Sequence, residues 1–155
     1  LTLQQLSDLL WATWGINRDN GKHTAPSSRN KQEMDVYLST KDGLFLYLPE
    51  KHQLQEIMDK DIRKITGGQD FVEKAAVNLI FVADYKSIQS TSEKYKNTSG
   101  VNTGFMAQNV YLFCASENLA CVVRVWFDHD KLHKAMGLAE YQEIILCNTV
   151  GYKAD

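Results

Sequence analysis

The residues best placed to do chemistry lie in one polar segment, between positions 24 and 32. It contains Pro26, Ser27, Ser28 and Asn30. Short hydroxyl and amide side chains can hydrogen-bond to their own backbone or to a ligand, and proline fixes one dihedral in advance. Composition therefore allows two interpretations: a connector whose Ser and Asn satisfy loop amides, or a loop that binds a ligand.

A charged residue inside an apolar run is the second chemical signal. Arg124 lies within Cys121 to Phe127, a stretch with the pattern of a buried central strand. Burying an unpaired guanidinium is costly, so we expect Arg124 to meet an anion or a carboxylate. The residues alone leave open a ligand-binding role and a structural ion pair.

Other catalytic patterns are weak or missing. The chain has no G-x-S-x-G turn and no glycine-rich phosphate loop. His129 and His133 have the spacing of helical metal ligands, but the segment lacks the glutamate of a metalloprotease, which favours an exposed helical face. Cys114, Cys121 and Cys147 are widely spaced in apolar runs, which predicts small buried side chains and neither a zinc site nor a disulfide.

The elements that must position these residues begin with a helix. Leucines at helical spacing predict it over residues 3–14, with Thr2 and Gln5 as a capping box and Gly15 as the terminator. Apolar runs on either side of Asp42-Gly43 predict a hairpin of strands at 34–38 and 44–48, with a third short strand near 54–58.

The rest of the chain alternates between helices and strands. The patterns predict two short helical pieces over 62–75, a strand buried on both faces over 77–83, a polar surface excursion over 86–100, a buried helix over 101–118, a helix from Asp128 to Met136 and a last strand over 144–150. This order predicts a single α+β domain over 1–155, with a mixed, mainly antiparallel central sheet flanked by helices.

Composition excludes several classes of function. A chain of 155 residues, 44% of them hydrophobic, is long enough for one domain with a real core. A net charge of −2 gives no basis for binding nucleic acid, and no apolar run is long enough to span a membrane. We expect a soluble protein and favour the cytoplasm, although a leader could have been removed. Because the sequence opens on a helix without Met, we expect an N-terminal segment to be missing.

Several strings together resemble a known family. The first helix is followed by Gly15-Ile16-Asn17-Arg18, by Gly21-Lys22-His23 and by the P-S-S-x-N-x-Q segment. Further strings follow in order: Val77 to Asp84, 104–119 with Gln108-Asn109, Cys121 to Asp128, and Val150 to Lys153. In order and spacing they resemble small bacterial members of the nitroreductase family, the FMN-dependent oxidoreductases, over almost the whole chain.

This resemblance implies a flavin site. Pro26, Ser27, Ser28 and Asn30 would line one edge of FMN, while Gln32 would anchor the loop. A backbone N–H at Val125 or Trp126 would face the reactive edge of the flavin, and Arg124 and Lys153 would supply positive charge. Many relatives have a small residue where this chain has Trp126, so its indole would crowd or wall the site. Family members use Arg and Ser from a segment before the first helix, which this sequence does not contain.

The resemblance further implies a homodimer with the flavin between subunits, in a nitroreductase-like fold. We expect two electrons to pass from NAD(P)H through FMN to a small electron-poor acceptor such as a nitroaromatic or quinone, with no side-chain nucleophile and no metal. Two alternatives stay open: a flavin- or ligand-binding domain without turnover, or a specialised flavin dehydrogenase acting on a peptide-derived heterocycle.

Overall fold

A computed structural model describes residues 1–86 and 88–153 of the chain. Its helices and strands, in chain order, are α1 (Leu3–Trp14), β1 (Met34–Thr40), β2 (Gly43–Leu48), β3 (Gln53–Met58), β4 (Val77–Asp84), α2 (Glu93–Ser116), β5 (Leu119–Arg124), α3 (His129–Met136) and β6 (Gln142–Tyr152). Two short 3-10 turns, Ser28–Asn30 and Arg63–Thr66, lie in the connections. The predicted α+β class is confirmed.

The six strands form one sheet in the order β3-β2-β1-β4-β6-β5. All five neighbouring pairs are antiparallel, so the mainly antiparallel sheet is confirmed, while the described strands contain none of the parallel pairs expected of a mixed sheet. β4 lies between β1 and β6, and every residue from Val77 to Ala83 is buried, as its continuous apolar run predicts.

The two faces of the sheet carry different partners. On one face, α1 and α2 pack over residues such as Val36, Leu79 and Phe81. On the other, α3 and the Arg63–Thr66 turn cover Tyr37, Ile80 and other residues. Strand side chains alternate between faces, so this division decides which predicted site residues can meet.

The first helix has the predicted bounds and cap. Thr2 Oγ1 accepts a hydrogen bond from the Gln5 N–H at 3.1 Å, and Gln5 Oε1 accepts one from the Thr2 N–H at 3.0 Å. This capping box satisfies two N–H groups at the helix start. The hairpin, the third strand and the helix begun by Asp128 are confirmed as well.

The second helix starts earlier than its sequence pattern predicts. It begins at Glu93, so the excursion predicted over 86–100 is helical in its second half. The buried residues in the first half of α2 are polar: Ser99, Asn102 and Thr103. A helix that buries polar side chains lacks the apolar period by which helices are recognised.

Two further predictions are wrong in detail. The apolar run from Cys121 was expected to be a central strand, but β5 ends at Arg124 and lies at the edge of the sheet. Within 62–75 only the 3-10 turn Arg63–Thr66 is helical, and a series of turns follows it.

A side chain of α2 contacts the edge of the sheet at β5. There the N–H of Val123 donates to Tyr111 Oη at 2.9 Å. No helix of the described residues is long and apolar enough to cross a membrane.

Candidate functional site

The segment from 24 to 32, named here the signature loop, has an unusual backbone. Arg29, Asn30 and Gln32 have φ values of 54°, 55° and 52°. Residues other than glycine rarely occupy this left-handed region, and each costs free energy that the surroundings must supply. Three such residues within four positions indicate that contacts with the rest of the protein keep the loop in this conformation.

Hydrogen bonds within the loop hold that conformation. Ser27 Oγ accepts from the Gln32 N–H at 3.0 Å, and the Gln32 side-chain amide donates to the carbonyl of Gly21 at 3.0 Å and to Asn30 Oδ1 at 3.3 Å. Gln32 therefore anchors the loop, as expected. Pro26, Ser28 and Asn30 are exposed and Ser27 is half-buried, which leaves these predicted ligand contacts accessible.

Two buried polar residues of α2, Ser99 and Asn102, support the loop, and the sequence patterns did not predict this role. Asn102 accepts from the Ser28 N–H at 3.2 Å and donates to Glu33 Oε1 at 2.8 Å. Ser99 also donates to Glu33 Oε1, at 2.8 Å. The available signal was the polar content of 93–103, which looks like a surface segment until its partner is known.

A second hairpin, formed by residues 15–24 just before the signature loop, is also held in place by specific contacts. Ile16 and His23 pair across it, and the His23 ring stacks on Trp14 with centroids 4.0 Å apart. His23 Nδ1 lies 2.6 Å from the carbonyl of Trp14, so this nitrogen carries the proton and donates. Burial lowers the pKa of His23, which favours the neutral ring.

Arg124 is buried among neutral acceptors. Nε donates to Thr149 Oγ1 at 2.7 Å, Nη1 to the carbonyl of Thr66 at 2.5 Å, and Nη2 to Asn78 Oδ1 at 3.0 Å. The side chain is only 4% exposed, and no carboxylate pairs with it in the described part of the chain. The expected carboxylate partner is therefore absent there, and the guanidinium is satisfied by neutral oxygens from three distant segments.

Two glycines make room for Arg124 and Trp126. A Cβ at Gly67 would lie 2.0 Å from Arg124 Nη1, and a Cβ at Gly68 would lie 3.0 Å from the indole of Trp126. The Gly68 N–H also donates to the carbonyl of Trp126 at 3.0 Å. Gly67 and Gly68, which lie within the stretch 62–75 predicted as two short helical pieces, thus give this turn the space that it needs.

The turn presents its other atoms to solvent. The side chains of Val125 and Trp126 are 66% and 68% exposed, so the indole covers Gly68 and leaves the rest of its surface open. Among the described residues, neither the N–H of Val125 nor that of Trp126 donates a hydrogen bond. A backbone donor is therefore available where the resemblance implies one.

Lys153 lies beyond the opposite end of β5. Its Nζ donates to Asn118 Oδ1 at 2.5 Å, and Leu119, the first residue of β5, pairs with Tyr152. Since β5 runs from Leu119 to Arg124, its whole length separates Lys153 from Trp126.

One chain does not bring all the predicted residues together. The loop half of the site, the signature loop, lies on the face of α1 and α2, where Ala25 joins the core and Ser28 bonds to Asn102. The strand half, Arg124 to Trp126 with Gly67-Gly68, lies by the face that carries α3. The sheet separates the two halves.

The structure offers no evident metal centre within its described ranges. No group of three or more His, Cys, Asp or Glu side chains is arranged to hold a metal ion there. On α3, His133 Nε2 lies 3.2 Å from the carbonyl of Ala139 and 3.1 Å from that of Gln142, so it serves the local backbone.

Comparisons with known proteins identify the family. The model of the nitroreductase family matches residues 1–152. Among curated proteins, the "Putative nitroreductase MJ1384" of Methanocaldococcus jannaschii is 27% identical over 160 residues, covering 94% of this chain and 79% of that protein.

Solved structures agree in fold. A crystal structure from Ralstonia eutropha JMP134, described as a "putative nitroreductase", is 42% identical with a TM-score of 0.93, covering all of this chain and 75% of that one. A chain of the E. coli microcin synthetase McbBCD complex has a TM-score of 0.86 at 18% identity, covering all of this chain and 65% of that one, which shows the fold alone. The nitroreductase-like fold is thereby confirmed, and the chain belongs to the nitroreductase family.

Proposed function

We propose that this chain is an FMN-dependent oxidoreductase that passes two electrons from NAD(P)H to a small electron-poor acceptor such as a nitroaromatic or quinone. The observation that carries the proposal is the turn at Val125 and Trp126. Its two N–H groups have no partner within the described residues, and the guanidinium of Arg124 and the backbone of Gly68 hold it in place. A fixed, unused donor beside an open surface suits a polar atom at the edge of a ligand ring.

Positive charge lies at both ends of β5. Arg124 and the turn lie at one end and Lys153 beyond the other, and six strand residues span about 20 Å at ~3.4 Å each. The reactive edge of the flavin ring and the phosphate of FMN lie closer together than this, because only a five-carbon ribityl chain joins them. We therefore assign the turn to the flavin ring, while Lys153 adds positive charge beyond the far end of the strand and the phosphate is left to other cationic residues. Arg124, whose N–H groups serve neighbouring segments, contributes its positive charge and the position of the turn.

The chemistry that bound FMN supplies is reversible two-electron transfer, which needs no nucleophile from the protein. The residues of this chain orient the ring and supply positive charge for the electrons that it stores. The indole of Trp126 walls the acceptor site and reduces its access to water.

The separation of the two halves supports a shared site. Pro26, Ser27, Ser28 and Asn30 cannot reach the strand half of their own chain around the sheet, but the loop half of a second copy could complete it. The outer surface of α2 favours such a copy: Val101, Phe105 and Leu112 are 60%, 47% and 60% exposed. Their spacings of four and seven residues place them on one side of the helix. We therefore propose a homodimer.

A visible spectrum tests the proposal. Purified protein incubated with FMN and passed over a desalting column should keep the flavin absorbance, and anaerobic NADH or NADPH should bleach it. Menadione or a nitroaromatic should then restore the colour. A spectrum without flavin would overturn the proposal.

Flavin that binds but is not bleached by either nicotinamide would instead identify a binding module without turnover. The likeness to a microcin synthetase chain extends to the fold alone, so a heterocycle substrate has no separate support. The sedimentation of the protein tests the dimer, and a monomer at the concentrations of the assay would contradict a site shared between subunits.

A further inference from the structure

A cavity of about 320 Å³ lies between the hairpin at 15–24 and the signature loop. Its lining residues include the cationic Arg18 and Lys22 and the polar Ser27 and Asn30, and no Asp or Glu is among them. A concave surface with one sign of charge concentrates ligands of the opposite sign.

Both walls of the cavity are fixed. The Gly21 N–H donates to the carbonyl of Arg18 at 3.0 Å, and the Asn17 N–H donates to that of Lys22 at 3.2 Å. The Gln32 amide joins the walls through its 3.0 Å bond to the Gly21 carbonyl. A ligand would therefore meet a prearranged site and would not have to order two loops.

The cationic groups are available to a ligand. Neither Arg18 nor Lys22 forms an ion pair with a described residue, and the guanidinium of Arg18 makes only a long 3.4 Å bond, to the carbonyl of His23. Asp19 follows Arg18 in the chain but does not line the cavity. The Ser27 hydroxyl accepts from Gln32, which leaves its own proton for a further acceptor.

We propose that this cavity binds a terminal phosphate monoester of a nucleotide. Arg offers a planar fork of donors to phosphate oxygens, Lys adds a mobile charge, and a hydroxyl with an amide completes the set. The identity of the nucleotide rests on the proposed function, in which two molecules carry such a group. They are FMN, with its 5′-phosphate, and NADPH, with its 2′-phosphate, which NADH lacks.

Binding measurements with matched pairs of ligands test the assignment. Calorimetry compares FMN with riboflavin, and adenosine 2′-phosphate with adenosine. In the double variant Arg18→Gln, Lys22→Gln, we expect the preference for the phosphorylated member of one pair to fall about tenfold or more, since bonds to charged groups contribute that much. The pair that loses its preference identifies the carrier of the phosphate.

The control is the double variant Lys60→Gln, Lys134→Gln, which removes the same charge from exposed positions outside the cavity. It should keep both preferences. If both stay within about twofold of the wild type in the Arg18, Lys22 variant as well, or fall equally in the control, the assignment is overturned.

The two proposals can fail separately. A protein that retains no flavin but loses its preference for adenosine 2′-phosphate in the Arg18, Lys22 variant would keep the phosphate site and refute the oxidoreductase. If the flavin is bleached normally and neither preference changes in the Arg18, Lys22 variant, the oxidoreductase stands and the phosphate site is refuted. In an active enzyme, a raised KM for NADPH with an unchanged KM for NADH would confirm the 2′-phosphate as the ligand.

Discussion

The loop half and the strand half of the site are held in place by opposite means. The loop half is exposed and backbone-strained, and local hydrogen bonds and one amide from α2 maintain its shape. The strand half packs against two glycines, Gly67 and Gly68, and the buried guanidinium of Arg124 hydrogen-bonds to three distant segments. The difference shows that a surface site can be made rigid from within the loop or from beneath it.

Arg124→Met should give the largest effect, because it removes three buried hydrogen bonds while keeping much of the side-chain volume. We expect the free energy of unfolding to fall by about 2–4 kcal/mol, measured by urea denaturation. Arg18→Met, on the exposed hairpin, is the matched change and should stay within about 0.5 kcal/mol of the wild type. Equal losses in both variants would mean that the two halves do not differ in how they are held.

Gly67→Ala should separate packing from hydrogen bonding in the strand half. The new methyl group would lie 2.0 Å from Arg124 Nη1, so the guanidinium or the turn must move. We expect a loss of about 1–3 kcal/mol, as for other overpacked sites. At Gly100, within α2, a Cβ would meet nothing within 4 Å, and Gly100→Ala should stabilise the helix by about 0.5–1 kcal/mol. A Gly67→Ala variant with the same free energy of unfolding as the wild type would contradict the close packing of Gly67 against Arg124.

A change of pH should alter the stability of the protein through Asp35, which lies near the start of β1, just after the signature loop. Burial raises the pKa of Asp35 to about 6, with Asp84 and Glu50 adding to the effect. The folded state therefore binds a proton more readily than the unfolded chain, so ionised Asp35 lowers stability above pH 6 and this cost disappears as the pH falls towards 4. Asp35→Asn should stabilise the protein by about 1–2 kcal/mol at pH 8 and by little at pH 4. A gain that is constant across this range would refute the prediction.

The smallest expected effect tests strain in the loop half. Arg29 has a φ of 54°, whereas Lys31 has an ordinary helical φ of −71°. Glycine relieves strain only at the first position, so Arg29→Gly should leave the protein about 1 kcal/mol more stable than Lys31→Gly does. Thermal unfolding of the two variants measures the difference, and the reverse order would show that the loop is not strained.

The sequence predicts best where local rules and burial agree. The Thr2 capping box, the Asp42-Gly43 hairpin and the β4 strand are each specified by residues close in the chain, and all three are confirmed. The start of α2 was missed because its buried side chains are polar and bond to Glu33, more than sixty residues away in the chain. Short-range patterns cannot reveal a partner at that separation.

The strand half could be predicted only in part. Arg124 was recognised as a buried charge, but its partners Thr66, Asn78 and Thr149 come from three separate segments and are all neutral. The polar residues Asn78 and Thr149, inside apolar strands, were the visible signal that such a network exists. The ligand roles of the eight predicted residues stay predictions, and the experiments above address them.

The hydroxyl of Tyr111 has a consequence for how this protein behaves in a crowded cell. β5 forms an edge of the sheet, and edges with outward N–H groups recruit strands from other molecules into aggregates. Tyr111 occupies the outward N–H of Val123 in an edge strand whose own side chains, Val122 and Val123, are apolar and partly exposed. An intruding strand would have to displace this phenol to pair with Val123, so one side chain of α2 hinders growth of the sheet at the β5 edge.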